Sequence, residues 1–181
     1  MNDKEYWSKF AGRFEPKHME QVLAWIDHLN SKKVLDCGCG LGHYMKAFED
    51  CGVEADGFDI SEEAIKLCPY NSIKPRIRLG SITGIPYKET YDFVLCYDLL
   101  EHLTEEEILA ALSELRRVSS KYILFSICFS NDINFLKDPT HITSKYREWW
   151  EHLLWREGFR ILRVPLNWPF STQLILCEVL K

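Results

Sequence analysis

No stretch of this chain approaches the roughly 18–20 consecutive apolar residues that a membrane-crossing helix requires. The opening Met1-Asn2-Asp3-Lys4-Glu5 is polar and lacks the apolar centre of a secretory signal. A basic excess is missing too: the formal net charge is −5. That disfavours bulk binding of nucleic acid or of anionic membranes, which attract basic surfaces. The seven cysteines are an odd number and none is spaced C-x-x-C, so neither a disulfide scaffold nor a zinc knuckle is expected. Reduced, mostly buried thiols in a cytoplasmic protein are the expectation instead. Repeats, low-complexity tracts and internal linkers are also absent. What remains is 181 residues with 46% apolar content, enough for one domain around one core and too apolar for a disordered chain.

Apolar spacing divides the chain into alternating elements. A first helix is expected from about Pro16, with Met19, Val22, Leu23, Ile26 and Leu29 on one face. Short apolar runs predict strands at 33–37, 53–58, 76–79, 91–97 and 122–128, separated by helices at 43–49, 62–67 and 105–118. Ser61 before Glu62 and Glu63 reads as a helix cap with acids in the first turn. Thr104 with Glu107 reads as a capping box. Strands alternating with helices imply a mostly parallel sheet covered on both faces. The tail departs from this rhythm. A helix at 144–157 leads to runs at 159–164 and 168–180, close enough together to form an antiparallel hairpin at the sheet edge. Residues 1–32 read as an N-terminal lid and helix, and 33–181 as the core of the same domain.

The run Val34-Leu35-Asp36-Cys37-Gly38-Cys39-Gly40-Leu41-Gly42 is a buried strand that breaks into a glycine loop. Ligands of open parallel sheets bind at such carboxyl ends. The loop reads G-x-G-x-G, and His43 stands where a dinucleotide-binding G-x-G-x-x-G needs its third glycine. A phosphate loop, G-x-x-x-x-G-K-S/T, is absent. An acid two residues before the first glycine suits a cationic ligand better than an anionic one. The second strand also ends in an acid, Asp59, and a carboxylate there can accept both hydroxyl protons of a ribose. These features describe a nucleoside with a positively charged appendage. Cys37 and Cys39 read as small packing residues, not redox partners.

The same residues resemble the class I S-adenosylmethionine-dependent methyltransferases. V-L-D-x-G-x-G-x-G at 34–42 and Asp59 carry the likeness. Gly80-Ser81-Ile82-Thr83-Gly84-Ile85-Pro86-Tyr87 resembles the family's G-D-A-x-x-L-P-F, and residues 91–103, through Leu100-Glu101-His102-Leu103, resemble its fourth-strand motif. The resemblance implies a Rossmann-like α/β fold: seven strands, mostly parallel, with an antiparallel last strand and helices on both faces. It implies S-adenosylmethionine as cofactor and S-adenosylhomocysteine as product. Gly38, Cys39, Gly40 and Gly42 would bring backbone to the cofactor. Asp36 would hold the loop and the ammonium side. Asp59 would take the ribose hydroxyls, and Ile60 would pack on the adenine. Ser81 and Ile82 would lie at the adenine edge, with Ser81 a weaker acceptor than the family's Asp. Asp98 is counted with the cofactor residues.

A sulfonium is already an activated methyl donor, so orientation of the acceptor supplies much of the rate. A hydroxyl acceptor also needs a base or a metal. His141 and His102 are the candidate catalytic residues, from Asp98-x-x-Glu101-His102 and from Asp138-Pro139-Thr140-His141 on a long loop. No metal is expected. The alternative is a divalent ion on Asp98, Glu101, His102 and His141. That set is similar to the E-x-x-E-H plus later His of small-RNA 3′-terminal 2′-O-methyltransferases and ubiquinone-pathway O-methyltransferases, with Asp98 for the first Glu. Tyr6 and Trp7 are expected as a lid over the cofactor, and Trp149, Trp150 and Trp155 as packing residues on a helix. The preferred function is methyl transfer to a small-molecule acceptor. The alternatives are a metal-assisted O-methyltransferase on an RNA end or catechol-like ring, a non-catalytic cofactor-binding partner subunit and, more distantly, a NAD-dependent oxidoreductase.

Overall fold

The computed structural model describes residues 3–10, 18–131, 138–162 and 173–180. Side chains along its central strands alternate between two apolar layers, as period-2 backbone geometry requires. In β1 (Lys33–Cys37) Val34 faces one layer, while Leu35 and Cys37 face the other. In β4 (Tyr91–Tyr97) Phe93 and Leu95 join Val34, while Val94 and Cys96 join Leu35. β5 (Ser119–Ser126) does the same with Leu124 against Ile123 and Phe125. Helices close both layers. On one side lie α2 (Met19–His28) and α3 (His43–Asp50), through Val22, Trp25, Ile26, Met45 and Phe48. On the other lie α5 (Glu105–Val118) and α6 (Arg147–Arg156), through Ile108, Leu112, Leu115, Trp150 and Leu154.

With β2 (Glu54–Asp59), β3 (Ile77–Leu79), β6 (Phe159–Ile161) and β7 (Leu174–Val179), the sheet has seven strands in the order β3-β2-β1-β4-β5-β7-β6. β1 pairs in parallel with both β2 and β4, so the strand order reverses there. This is the switch point at which ligands of such sheets bind. β7 runs antiparallel to β5 and to β6. The expected hairpin therefore forms, with the last strand on its inner side and β6 outermost.

α5 has its capping box: Thr104 Oγ1 accepts from Glu107 N–H, and Glu107 accepts from Thr104 N–H. α4 (Glu62–Leu67) is capped by Ser61, which accepts from Ala64 N–H at 3.0 Å. Each cap of this kind contributes about 1 kcal/mol.

Several boundaries differ from the sequence expectations. α2 begins at Met19, and Pro16 lies outside the described residues. β5 starts at Ser119, directly after α5, because Ser119 pairs with Tyr91 beyond a register shift between Tyr91 and Phe93. α6 starts at Arg147, since Tyr146 is still extended (φ −72°, ψ 161°). Parts of the runs expected at 159–164 and 168–180 lie outside the described residues. Trp150 is fully buried, but Trp155 is 67% exposed, so it does not pack as expected. An additional helix, α1 (Asp3–Phe10), precedes α2. Among the described residues, no helix is long and apolar enough to cross a membrane.

Candidate cofactor and active site

The carboxyl ends of β1, β2, β4 and β5 meet around the glycine loop. Gly38, Gly40 and Gly42 all have positive φ (71°, 52° and 80°). At Gly40 the constraint is also steric. A Cβ there would lie 2.9 Å from Cη2 of Trp7, so the α1 indole rests directly on the loop backbone. Gly38 and Cys39 N–H both donate to the Phe58 carbonyl, at 2.9 and 3.0 Å. Gly40 N–H donates to Asp59 Oδ2 at 2.8 Å, and Asp59 Oδ1 accepts from Ser61 N–H at 2.8 Å. It is thus Asp59, at the end of β2, that takes a loop N–H.

A cavity of about 320 Å³ opens beside this loop. Its near wall includes Tyr6, Trp7, Asp36, the 38–41 backbone, His43 and Tyr44. Asp36 is 2% exposed, and its Oδ2 has no hydrogen-bond partner among the described residues. Burial, and then the charge of Asp59, push its carboxyl up to about 8. A buried acid without a countercharge is costly on its own, and it is complementary to a cation placed in the cavity. Tyr97, at the end of β4, lines the same space. Its ring lies 5.1 Å from that of Tyr44, and its Oη is 2.8 Å from His18 Nδ1.

The far wall includes Asp98, His102, Cys128, Asp138, His141 and Gln173. Asp98 has φ 46°, unusual for a side-chain-bearing residue, and is pinned by two bonds. Its N–H donates to the Ser126 carbonyl at 3.0 Å, and its Oδ1 accepts from Ser126 Oγ at 2.6 Å. Glu101, on the 3-10 turn Leu100–His102, is fully buried. Its Oε1 accepts from Cys128 N–H at 2.8 Å, and its carbonyl accepts from Ile142 and Thr143 N–H, each at 3.0 Å. Glu101 Oε2 has no hydrogen-bond partner among the described residues, and burial, then Asp98, push this carboxyl also to about 8. The His102 and His141 rings meet edge to face, 4.7 Å between centroids. Burial, then His141, lower the His102 pKa. Ligand atoms of Glu101, His102 and His141 lie within 4.8 Å of one another. Asp98, expected as the fourth member of this set, is not among them.

The structure brings Asp36, Gly38, Cys39, Gly40, Asp98, His102 and His141 to one cavity. Gly42, Asp59, Ile60, Ser81 and Ile82 are not in its lining. Ile60 stands 76% exposed just beyond Asp59. Ser81 Oγ accepts from Thr83 N–H at 3.2 Å and lies 2.9 Å from Thr83 Oγ1, within a tight turn. Ile82 departs from expectation, because its side chain is 4% exposed and packs in the core with Ile85 and Tyr87. That leaves only its backbone for an adenine edge. Tyr44, Tyr97, Cys128 and Gln173 are lining residues that the sequence reading did not single out. The position of Tyr97 and Cys128 at strand ends was the available signal.

A family model described as a methyltransferase domain matches residues 34–121. A ubiquinone biosynthesis O-methyltransferase of Burkholderia multivorans is 32% identical over 143 residues, 72% of this chain. By these matches the chain is similar to the class I S-adenosylmethionine-dependent methyltransferases. The chain spans 61% of the length of that Burkholderia relative. Its fold is that of the magnesium protoporphyrin IX methyltransferase of Synechocystis with bound SAH, at TM-score 0.73 and 21% identity over 98% of this chain and 94% of that one. An S-adenosylmethionine-dependent methyltransferase from Clostridium acetobutylicum has TM-score 0.76 at 12% identity, covering 98% and 97%. The Synechocystis enzyme with bound SAM has TM-score 0.67 at 21% identity, covering 100% of this chain and 85% of that one.

Proposed function

We propose that the chain binds S-adenosylmethionine between the glycine loop and Tyr97 and transfers its methyl group to a hydroxyl of a small-molecule acceptor. The observation that carries this reading is Asp36: a buried carboxylate on the cavity wall whose Oδ2 lacks a hydrogen-bond partner among the described residues. A cationic ligand supplies the missing countercharge, whereas the pyrophosphate of a dinucleotide would be repelled. Asp59 faces the ribose hydroxyls while holding Gly40, since each carboxylate oxygen has two lone pairs. Exposed Ile60 offers an apolar surface to the adenine, and α1 lies over the loop as a lid. A hydroxyl of a small molecule is favoured by the Burkholderia relative's name and by two imidazoles on the far wall. No disulfide joins cysteines among the described residues, which suits a reducing compartment such as the cytoplasm.

In the reaction, the acceptor oxygen attacks the methyl carbon in line with the sulfonium. The S–CH3 bond breaks with its electron pair left on sulfur, and the hydroxyl proton passes to a histidine. Calorimetry with S-adenosylmethionine, S-adenosylhomocysteine and NAD tests the binding half. Heat with both adenosyl ligands and none with NAD is expected; no heat with either adenosyl ligand rejects the proposal. In the same experiment Asp59→Ala should weaken binding by about 1–3 kcal/mol, the scale of charge-assisted hydrogen bonds.

One observation favours a second reading. Glu101, His102 and His141 form an oxygen and nitrogen donor set of the right compactness, and Glu101 Oε2 has no protein partner among the described residues. These residues fit a divalent cation, which when bound would polarise the acceptor oxygen. Turnover assayed in chelator and after adding back magnesium or zinc separates the two. Full activity in chelator leaves the histidine-base reading alone, and activity only with the metal selects the second.

A further inference from the structure

Both histidines line the cavity, but the hydrogen bonds around one of them go further and assign its proton. His102 Nδ1 lies 2.9 Å from Thr140 Oγ1 and 3.2 Å from the Thr140 carbonyl oxygen. A carbonyl oxygen has no hydrogen to give, so Nδ1 must carry the proton. The hydroxyl agrees. Thr140 Oγ1 has a single proton and donates it to Asp138 Oδ1 at 2.6 Å. It can therefore face Nδ1 only as an acceptor. Asp138 Oδ1 also accepts Thr140 N–H at 2.9 Å, which fixes the carboxylate against the hydroxyl. The opposite tautomer would set the Nδ1 lone pair against the carbonyl lone pair. The edge-to-face His141 ring fixes the plane of the imidazole from another side.

We propose that Asp138 and Thr140 are positioning residues that lock His102 as the Nδ1–H tautomer, leaving Nε2 as the lone-pair nitrogen presented to the acceptor. The inference rests on the methyl-transfer reading and names the atom that handles the proton. As the O–CH3 bond forms and the S–CH3 bond breaks, the acceptor's proton passes to Nε2. The sulfonium charge is replaced by an imidazolium charge. Thr140 and Asp138 then stabilise that imidazolium through its Nδ1–H. Where a metal is used, the same tautomer makes Nε2 the ligand atom.

The test is long-range proton–nitrogen NMR of the 15N-histidine-labelled full chain at about pH 8, where an ordinary histidine is neutral. The His102 signals are assigned by their loss in His102→Gln. Wild type should show a protonated Nδ1 and a bare Nε2. Thr140→Val should mix the tautomers and lower kcat by about 10–100-fold with the S-adenosylmethionine Kd unchanged, while Thr140→Ser restores both. A wild-type His102 protonated on Nε2 overturns the proposal, as does a Val variant with unaltered tautomer. The wild-type spectrum decides even if the Val variant does not fold. The tautomer is read without turnover, so failure of the methyl-transfer reading would be visible separately.

Discussion

Asp36→Asn is expected to cost about 3–5 kcal/mol of S-adenosylmethionine affinity, the scale for removing one partner of a buried ion pair. The same substitution should raise the stability of the ligand-free protein by about 1–3 kcal/mol near pH 8, because a buried carboxylate with no countercharge among the described residues no longer has to be kept. The opposed signs follow from one fact. Burial pushes the Asp36 carboxyl to about 8 from an ordinary value of 3.8. Between those values the folded chain holds a proton that the unfolded chain has released. Stability is therefore fully present below the ordinary value and falls as pH rises through the folded one. Binding a cation needs the ionised form, so it expels that proton, and affinity should rise with pH up to about 8. Thermal melts at several pH values and calorimetry in buffers of different ionisation enthalpy read both effects. The Asn variant should lose the pH dependence of affinity and the Asp36 share of the pH dependence of stability, leaving the share of Glu101. Unchanged affinity in that variant would place the cation elsewhere.

Glu101→Ala should destabilise the chain by about 2–4 kcal/mol, an unsatisfied buried N–H at Cys128 plus the lost packing of two methylenes. Glu101→Gln keeps an acceptor toward Cys128 and puts a neutral amide where the acid holds its proton up to about 8, so below that pH it should change stability by about 1 kcal/mol or less. Urea unfolding of the two variants separates the roles. An Ala variant as stable as wild type would mean that the bond to Cys128 does not hold the end of β5. The Gln variant also sharpens the metal question. If a cation is used, Gln should fold normally yet bind the metal at least about tenfold more weakly.

Elements fixed by local pattern were legible in the sequence. The bounds of β1, β4, α4 and α5 coincide with expectation, because β1 ends at a glycine, Ser61 and Thr104 open the two helices, and β4 is a short apolar run between polar residues. α1 was not legible, since its eight residues carry only Tyr6, Trp7 and Phe10 as apolar positions, too short a span for a helical period to repeat. The early start of β5 depends on pairing with Tyr91, and pairing is not written in one strand alone. In the site, Asp36 and Asp59 could be found because strand ends carry ligand groups. That Asp59 holds Gly40 could not, because the bond joins the loop after β1 to the end of β2. The His102–Thr140 contact spans 38 positions, and the Tyr44–Tyr97 stack joins a helix to a strand. Distances of that kind arise only when the sheet is assembled.

The inner placement of β7 has a consequence for how the chain comes together on the ribosome. Strands β1 to β5 can pair as soon as they emerge, but among the described residues the outer edge of β5 is covered by 174–179. β6, made earlier, pairs with β7 alone among the described residues. Until the last strand arrives, β5 presents a long apolar edge to solvent and to other nascent copies. The sheet is thus closed by one late insertion, and the interval before it is when the growing chain is most exposed to aggregation.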